Sequence, residues 1–300
     1  MADLFETDYD FTGDVSLDEE GRKAADDRQE WLKMSKGEIR RMAFVYYHTV
    51  DKNYVAKEMV KAREAGSPMS PDRAKAIGRK VLEALATKLG KPVEQLTILD
   101  RLDLSEVKFK QSRAHYQQGL GFIHSRLGMD GPEGDSVWKR LEEPKVYFST
   151  LMLVYPANSR GDMSTDDIGR LNEVRLIPWR MSKPLFMAVW KHNSGLMLNG
   201  MSIASQDIKA ECTDATYQKI DISLAGPSVW LRNPAYKKAV LEKAVGVYDK
   251  LDPFRTISTD QLRAKLGLGG GSMSDVSVSG GEAFSTDNFA DVLNAVDLDV

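Results

Sequence analysis

Lys36, Arg40, Arg41, Tyr46 and Tyr47 crowd into one short stretch of this 300-residue chain, and the same mixture of cation and flat ring returns further on. Lys108, Lys110, Arg113 and Tyr116 repeat it. Tyr147, Arg175, Trp179 and Arg180 follow, and Lys209, Tyr217 and Lys219 close the series. Guanidinium and ammonium groups neutralise phosphates, while exposed rings stack on bases for roughly 1–3 kcal/mol each. The chemistry these residues fit is the binding of a single-stranded polyanion. Alternate residues of a strand share a face. Arg40, Met42, Phe44 and Tyr46 therefore point one way, and Arg41, Ala43, Val45 and Tyr47 the other. One of those faces enters a core, and for any single ring the core is the commoner destination. Only the set as a whole carries the signal.

Nothing argues for catalysis. The chain has no GxxxxGK[ST] phosphate loop, no HExxH and no GxSxG. Gly119-Leu120-Gly121-Phe122 lacks the third glycine of a dinucleotide fingerprint, and the glycines at 267–271 do not lead from a strand into a helix. His115 and His124 have no acid cluster nearby in sequence, and Asp166-Asp167 reads as a solvated turn. The single cysteine, Cys212, excludes an intramolecular disulfide and a cysteine-cluster zinc site, and no neighbour gives it an activated thiolate. No enzyme activity, metal or cofactor is expected.

The elements that must carry these residues alternate between strand and helix. The texture after the Lys36-Gly37 turn predicts a strand over 38–49. Residues 53–104 read as a helical insertion. Within it Ser70 caps, Pro71 opens, Gly90 closes, and Ile77, Val81, Leu82, Leu85 and Leu89 form an apolar stripe. Strand character returns near Val107, is clearest over 145–155, and recurs in NEVRLIPWR, IKAEC and YQKIDISLA. Helices are predicted over 184–193, 234–250 and 258–266, and no internal repeat is visible.

Charge divides the chain more sharply than its net of −3 suggests. Residues 1–30 hold 11 Asp and Glu against 3 Lys and Arg, and residues 268–300 hold 6 acids and no base. The body between them carries 38 bases against 27 acids. A basic body between acidic ends competes internally for a polyanion site. The first thirty residues lack periodicity and are expected to be mobile. After Leu266 a Gly/Ser-rich stretch reads as a flexible linker. Beyond it Phe289, Asp291, Leu293, Asp297, Leu298 and Asp299 give an acidic and apolar end of the kind that docks into basic, apolar pockets on partners. No run of eighteen apolar residues is present, and the acidic N-terminus lacks the order of a signal peptide. A cytoplasmic protein is expected.

EWLKMSKGEIRRMAFVYYH, YFSTLMLVYPANSRGDMSTDDIGRLNEVRLIPWRMSKPLFMAVW, DIKAECTDATYQKIDISLAGPSVW and the linker with its acidic end occur in an order that resembles the helix-destabilising single-stranded DNA-binding proteins of T-even-like phages. The resemblance covers about half the chain in patches. It implies an oligonucleotide-binding barrel of about five strands, DNA across one basic, aromatic face, and a tail that contacts replication proteins such as polymerase, helicase or primase. It also implies roles in replication, recombination and repair. The chain departs from the family pattern in two places. One cysteine forbids the T-even zinc insertion, whose place the helical stretch 53–104 takes, and an acidic N-terminus replaces the basic arm used for self-association on DNA.

The expected fold is therefore α+β, an OB-fold-like barrel over 31–267 with a helical insertion and C-terminal helices, flanked by mobile acidic ends. The expected partners are single-stranded DNA and replication proteins, with no membrane; self-association on DNA stays open. Two alternatives stand beside it. One is a phage structural or assembly protein with an acidic interaction tail. The other is an enzyme of nucleic-acid metabolism whose metal-binding acids assemble only in three dimensions.

Overall fold

A computed structural model describes residues 31–163, 174–214, 219–252 and 254–268. Tyr217, the acidic N-terminus, the Asp166-Asp167 turn and the C-terminal linker and tail lie outside the described residues. The fold class is α+β. Seven strands are described: β1 Ile39–Phe44, β2 Lys110–Gln117, β3 Gly121–His124, β4 Lys145–Val154, β5 Arg175–Ser182, β6 Gln206–Cys212 and β7 Ile220–Pro227. Between and after them come α1 Val50–Glu64, α2 Pro71–Leu89, α3 Ile98–Arg101, α4 Gly131–Trp138, α5 Lys183–Met197, α6 Pro234–Val245 and α7 Thr259–Lys265. None of the described helices is long and apolar enough to cross a membrane.

The described residues divide into two compact units, where one continuous body over 31–267 is expected from sequence. The first comprises 31–110 and 148–252, and the second 111–147 and 254–268. In the first, the sheet runs β4-β1-β6-β7, with β5 paired to β4. Its ladders are antiparallel, with Ala43 opposite Leu153, Arg41 opposite Lys209 and Ala210 opposite Ile222. Closing a barrel requires the end strands to pair with each other. Among the described residues β7 pairs with β6 alone, so the sheet is open and the expected barrel is not formed. The first strand also stops at Phe44, short of the expected Thr49. The Tyr47 hydroxyl donates to the Phe44 carbonyl at 2.9 Å, and Thr49 is already the N-cap of α1.

Both faces of β1 and β4 are covered, whereas the edge strand β7 is largely exposed. Met42, Ala43 and Phe44 are consecutive and buried, as are residues 149–153 of β4. Their cover comes partly from Val189 and Leu196 of α5 and from Val240, Leu241 and Ala244 of α6, which share one core with Trp179 and Trp230. The insertion is a helical pair much as its caps predict. Ser70 accepts from the Arg73 amide, Pro71 opens α2, and Gly90 closes it in the left-handed region. Of its stripe, however, Ile77, Val81, Leu82 and Leu85 are half buried and Leu89 is exposed, and Ala86 alone is buried in α2.

The second unit is built on the β2–β3 hairpin, where His115 faces Ile123. Ile123, Val137, Trp138, Ile257 and Leu262 form its core, and the Trp138 indole donates to the Thr259 hydroxyl at 2.8 Å. A Ser258–Gln261 capping box opens α7.

Inside the first unit lies a fully buried carboxylate. Asp207 accepts from Arg41 Nε at 3.1 Å and Nη2 at 3.0 Å on one oxygen. Its other oxygen accepts from the Tyr155 hydroxyl at 3.1 Å and the Ser228 hydroxyl at 2.7 Å. Tyr155 in turn accepts from the Trp230 amide, and Arg41 also donates to the Ala225 carbonyl. Burial pushes the Asp207 carboxyl up, against the pull of Ser228, Arg41 and Tyr155. Removing one partner of such a pair strands a charge in the core at a cost of about 3–5 kcal/mol. Asp207→Ala should lose about that much in urea unfolding. Arg41→Met with Asp207→Leu should lose less than the two single changes together, because no charge is left uncompensated.

Candidate nucleic-acid interface

The end of β1 turns directly into α1, and that turn gathers cations around rings. Tyr46 leaves the strand half buried, its ring edge-on to Tyr248 at 4.8 Å and to His48 at 5.6 Å. Burial, with Asp249 nearby, pushes the Tyr46 phenol up to about 12, so it stays a neutral donor. Two residues on, burial pushes the His48 imidazole down to about 4, and the fields of Lys108 and Lys52 add to that. His48 is therefore neutral at pH 7, with two ammonium groups close enough to act on it.

The cations continue along α1. Glu106 sits between two of them, 3.0 Å from Lys108 Nζ and 3.8 Å from Lys57 Nζ. Tyr54, Lys57 and Lys61 follow at helical spacing on one face of α1. Tyr54 is 50% exposed and is the one aromatic among the strongly exposed apolar side chains of the described residues. Tyr46, His48, Lys52, Tyr54, Lys57 and Lys108 thus make a chain of cations and rings inside one unit. Four of these six, His48, Lys52, Tyr54 and Lys57, are absent from the sequence-derived set. The Tyr54–Lys57–Lys61 spacing is visible in the sequence, but the apolar stripe that marks the insertion lies in α2 and draws no attention to α1.

The other sequence-derived residues fall into three groups. Tyr47, Tyr147 and Trp179 are buried, at 2%, 8% and 2% exposure, and offer no ring face to a base. Tyr147 packs with Phe122 and Phe254, and Trp179 lies in the core of the first unit. A second group of cations is held by carboxylates. Arg41 is on Asp207, Arg40 on Glu38, Lys209 on Asp162 and Lys110 on Asp252. Arg41 belongs to the buried network and is not available to phosphate. The Asp162 loop is fixed by Asn158, whose side-chain oxygen accepts from the amides of Arg160 and Asp162. Gly161 there has φ of 69°, and an added Cβ would meet Ile39 at 3.0 Å.

The third group is open to solvent. Lys36, Arg113, Arg175 and Lys219 are exposed, and Arg180 and Tyr116 are half buried. Tyr116 lies edge-on to Phe122 at 5.3 Å. Arg40 and Arg175 also line one depression of about 280 Å³ with Glu38, Val154 and Pro156. His115 has both ring nitrogens engaged, by the Glu142 carbonyl at 2.7 Å and the Ser125 hydroxyl at 2.9 Å. Among the described residues no group of three His, Cys, Asp or Glu is placed to hold a metal ion.

His48 titrates lower in the folded chain than its ordinary 6.5, so folding is favoured fully above pH 6.5 and that contribution is lost as pH falls toward 4. The loss approaches about 3 kcal/mol at full protonation. His48→Gln should flatten the stability profile in that window when urea midpoints are compared from pH 7 to 4. The lowered carboxyls of Glu38 and Asp103 act in a separate window, below their ordinary value, and leave the difference between the two proteins unaffected.

No protein-family model matches this chain and no curated protein matches it, so its function is inferred from the side chains themselves.

Proposed function

We propose that this protein binds single-stranded DNA without sequence preference and without catalysis, in support of phage DNA replication, recombination and repair. The observation that carries the proposal is the set Tyr46, His48, Lys52, Tyr54, Lys57 and Lys108 around the start of α1, which combines phosphate-neutralising charge with an exposed ring. The carboxylates around it do not oppose binding strongly. The Lys57 side chain is 65% exposed and its ammonium lies 3.8 Å from Glu106, a pair worth about 0–1 kcal/mol, so a phosphate displaces Glu106 from Lys57 at small cost. In this reading the open five-strand arrangement takes the part of an oligonucleotide-binding barrel, with strand ends and helix α1 presenting the site. The acidic C-terminal end recruits polymerase, helicase or primase.

A second reading, a structural or assembly protein with an acidic interaction tail, is favoured by one observation: Tyr47, Tyr147 and Trp179 are core residues. The two separate in one titration. A fluorescent oligothymidine of about thirty bases and a matching duplex should show tight binding to the single strand, weaker binding to the duplex and a steep salt dependence. Lys57→Glu and Lys108→Glu should each reduce the salt slope by at least about 0.7, the share of one phosphate contact on a single strand. Tyr54→Ala should cost about 1–3 kcal/mol through lost stacking while keeping the slope. No binding to either nucleic acid at low salt would leave the assembly reading in place.

A further inference from the structure

Strand β7 ends the sheet of the first unit, and among the described residues its outer edge pairs with nothing. Which backbone groups face that edge follows from the ladder on its inner side. The Thr213 amide donates to the Lys219 carbonyl at 2.9 Å, and the register continues through Cys212–Ile220, Glu211–Asp221 and Lys209–Ser223. Hydrogen-bonded and open pairs alternate along an antiparallel ladder. Lys219, Asp221 and Ser223 therefore turn their N–H and C=O groups toward β6, and Ile220, Ile222 and Leu224 turn theirs outward. A bulge at Ala225, whose carbonyl accepts from Arg41, ends this regular edge. Asp221 is the only charge across 220–224, and neither lysine nor proline interrupts them, so the edge is weakly guarded against pairing. Helix α5 packs on the face that carries Leu224, and its last turn leaves Leu198 89% and Met197 57% exposed.

We propose that this edge pairs with the same edge of a second copy, antiparallel about a two-fold axis at Ile222, and without nucleic acid. The strand itself dictates the register. Only registers that set outward-turned residues opposite one another form hydrogen bonds. An axis at Asp221 would bring two carboxylates face to face, and one at Ser223 would run Ile220 into the bulge. With the axis at Ile222, Ile222 meets its counterpart, Ile220 meets Leu224 and Asp221 meets Ser223. Apolar then lies on apolar and carboxylate on hydroxyl. The same register sets both copies of α5 on one side of the joined sheet, so the open apolar side chains of their last turns share that side. A strand of another protein would find the same hydrogen bonds, but the side-chain match is one of the strand with itself, as an isologous dimer requires. Every residue involved lies in the first unit and none belongs to the nucleic-acid interface, so the inference stands apart from the DNA reading.

Sedimentation equilibrium of the full chain without DNA tests it. The unaltered chain should show a monomer–dimer equilibrium. Ser223→Asp places a second carboxylate opposite Asp221 and should weaken the dimer about threefold or more, whereas Ser223→Lys places an ammonium there and should tighten it by about the same factor. Inside one copy Ser223 faces Lys209, so effects on folding carry the opposite sign and cannot imitate this order. A chain that stays monomeric up to about 100 μM overturns the proposal. A dimer that ignores both changes, or answers both alike, overturns it too and puts the contact elsewhere.

Discussion

The ion pair between Arg41 and Asp207 constrains everything built around it. A carboxylate with no exposure to water needs its full complement of donors, and Asp207 draws them from β1, from the residue after β4 and from the segment after β7. An apolar pair of similar volume would tolerate small slips between those elements; a desolvated charge does not. The network therefore fixes the β1–β6 register, which in turn sets where β1 ends. Where β1 ends decides where Tyr46, His48 and the start of α1 stand. The candidate interface is positioned by an interaction in which none of its own residues takes part.

Burial of β1 and β4 on both faces has a second effect. A strand whose consecutive residues are all buried, as in β4 or the second half of β1, leaves no ring free for a ligand. The accessible cations and rings are displaced to strand ends, to α1 and to loops. This explains why Tyr47 and Tyr46, neighbours in sequence, have opposite environments. Tyr47 donates inward to the Phe44 carbonyl, whereas Tyr46 lies half buried against Tyr248 and His48.

Much of the element order was legible because local signals agree with tertiary demands. Ser70, Pro71 and Gly90 mark α2 through capping chemistry that acts within a turn or two, and KVYFSTLMLVY marks β4 through uninterrupted β-forming residues. Two things were not legible. Whether antiparallel strands close into a barrel depends on pairing between strands far apart in the chain, which composition does not encode. Whether a given aromatic is core or surface depends on what covers the second face of its strand, and in β1, β4 and β5 both faces are covered. The cations are legible by type, but carboxylate partners such as Asp252 for Lys110 or Asp162 for Lys209 come from other segments.

Those internal partners change what a polyanion meets on arrival. Lys57 and Lys108 already share the carboxylate of Glu106, so they have little reason to hold small anions from solution. When a nucleic acid displaces Glu106, the ions set free come from the nucleic acid's own cation atmosphere and not from the protein. Affinity at such a surface follows the cation of the buffer salt and is nearly indifferent to its anion, and the displaced side chain stays within reach to reclaim the lysines when the strand departs.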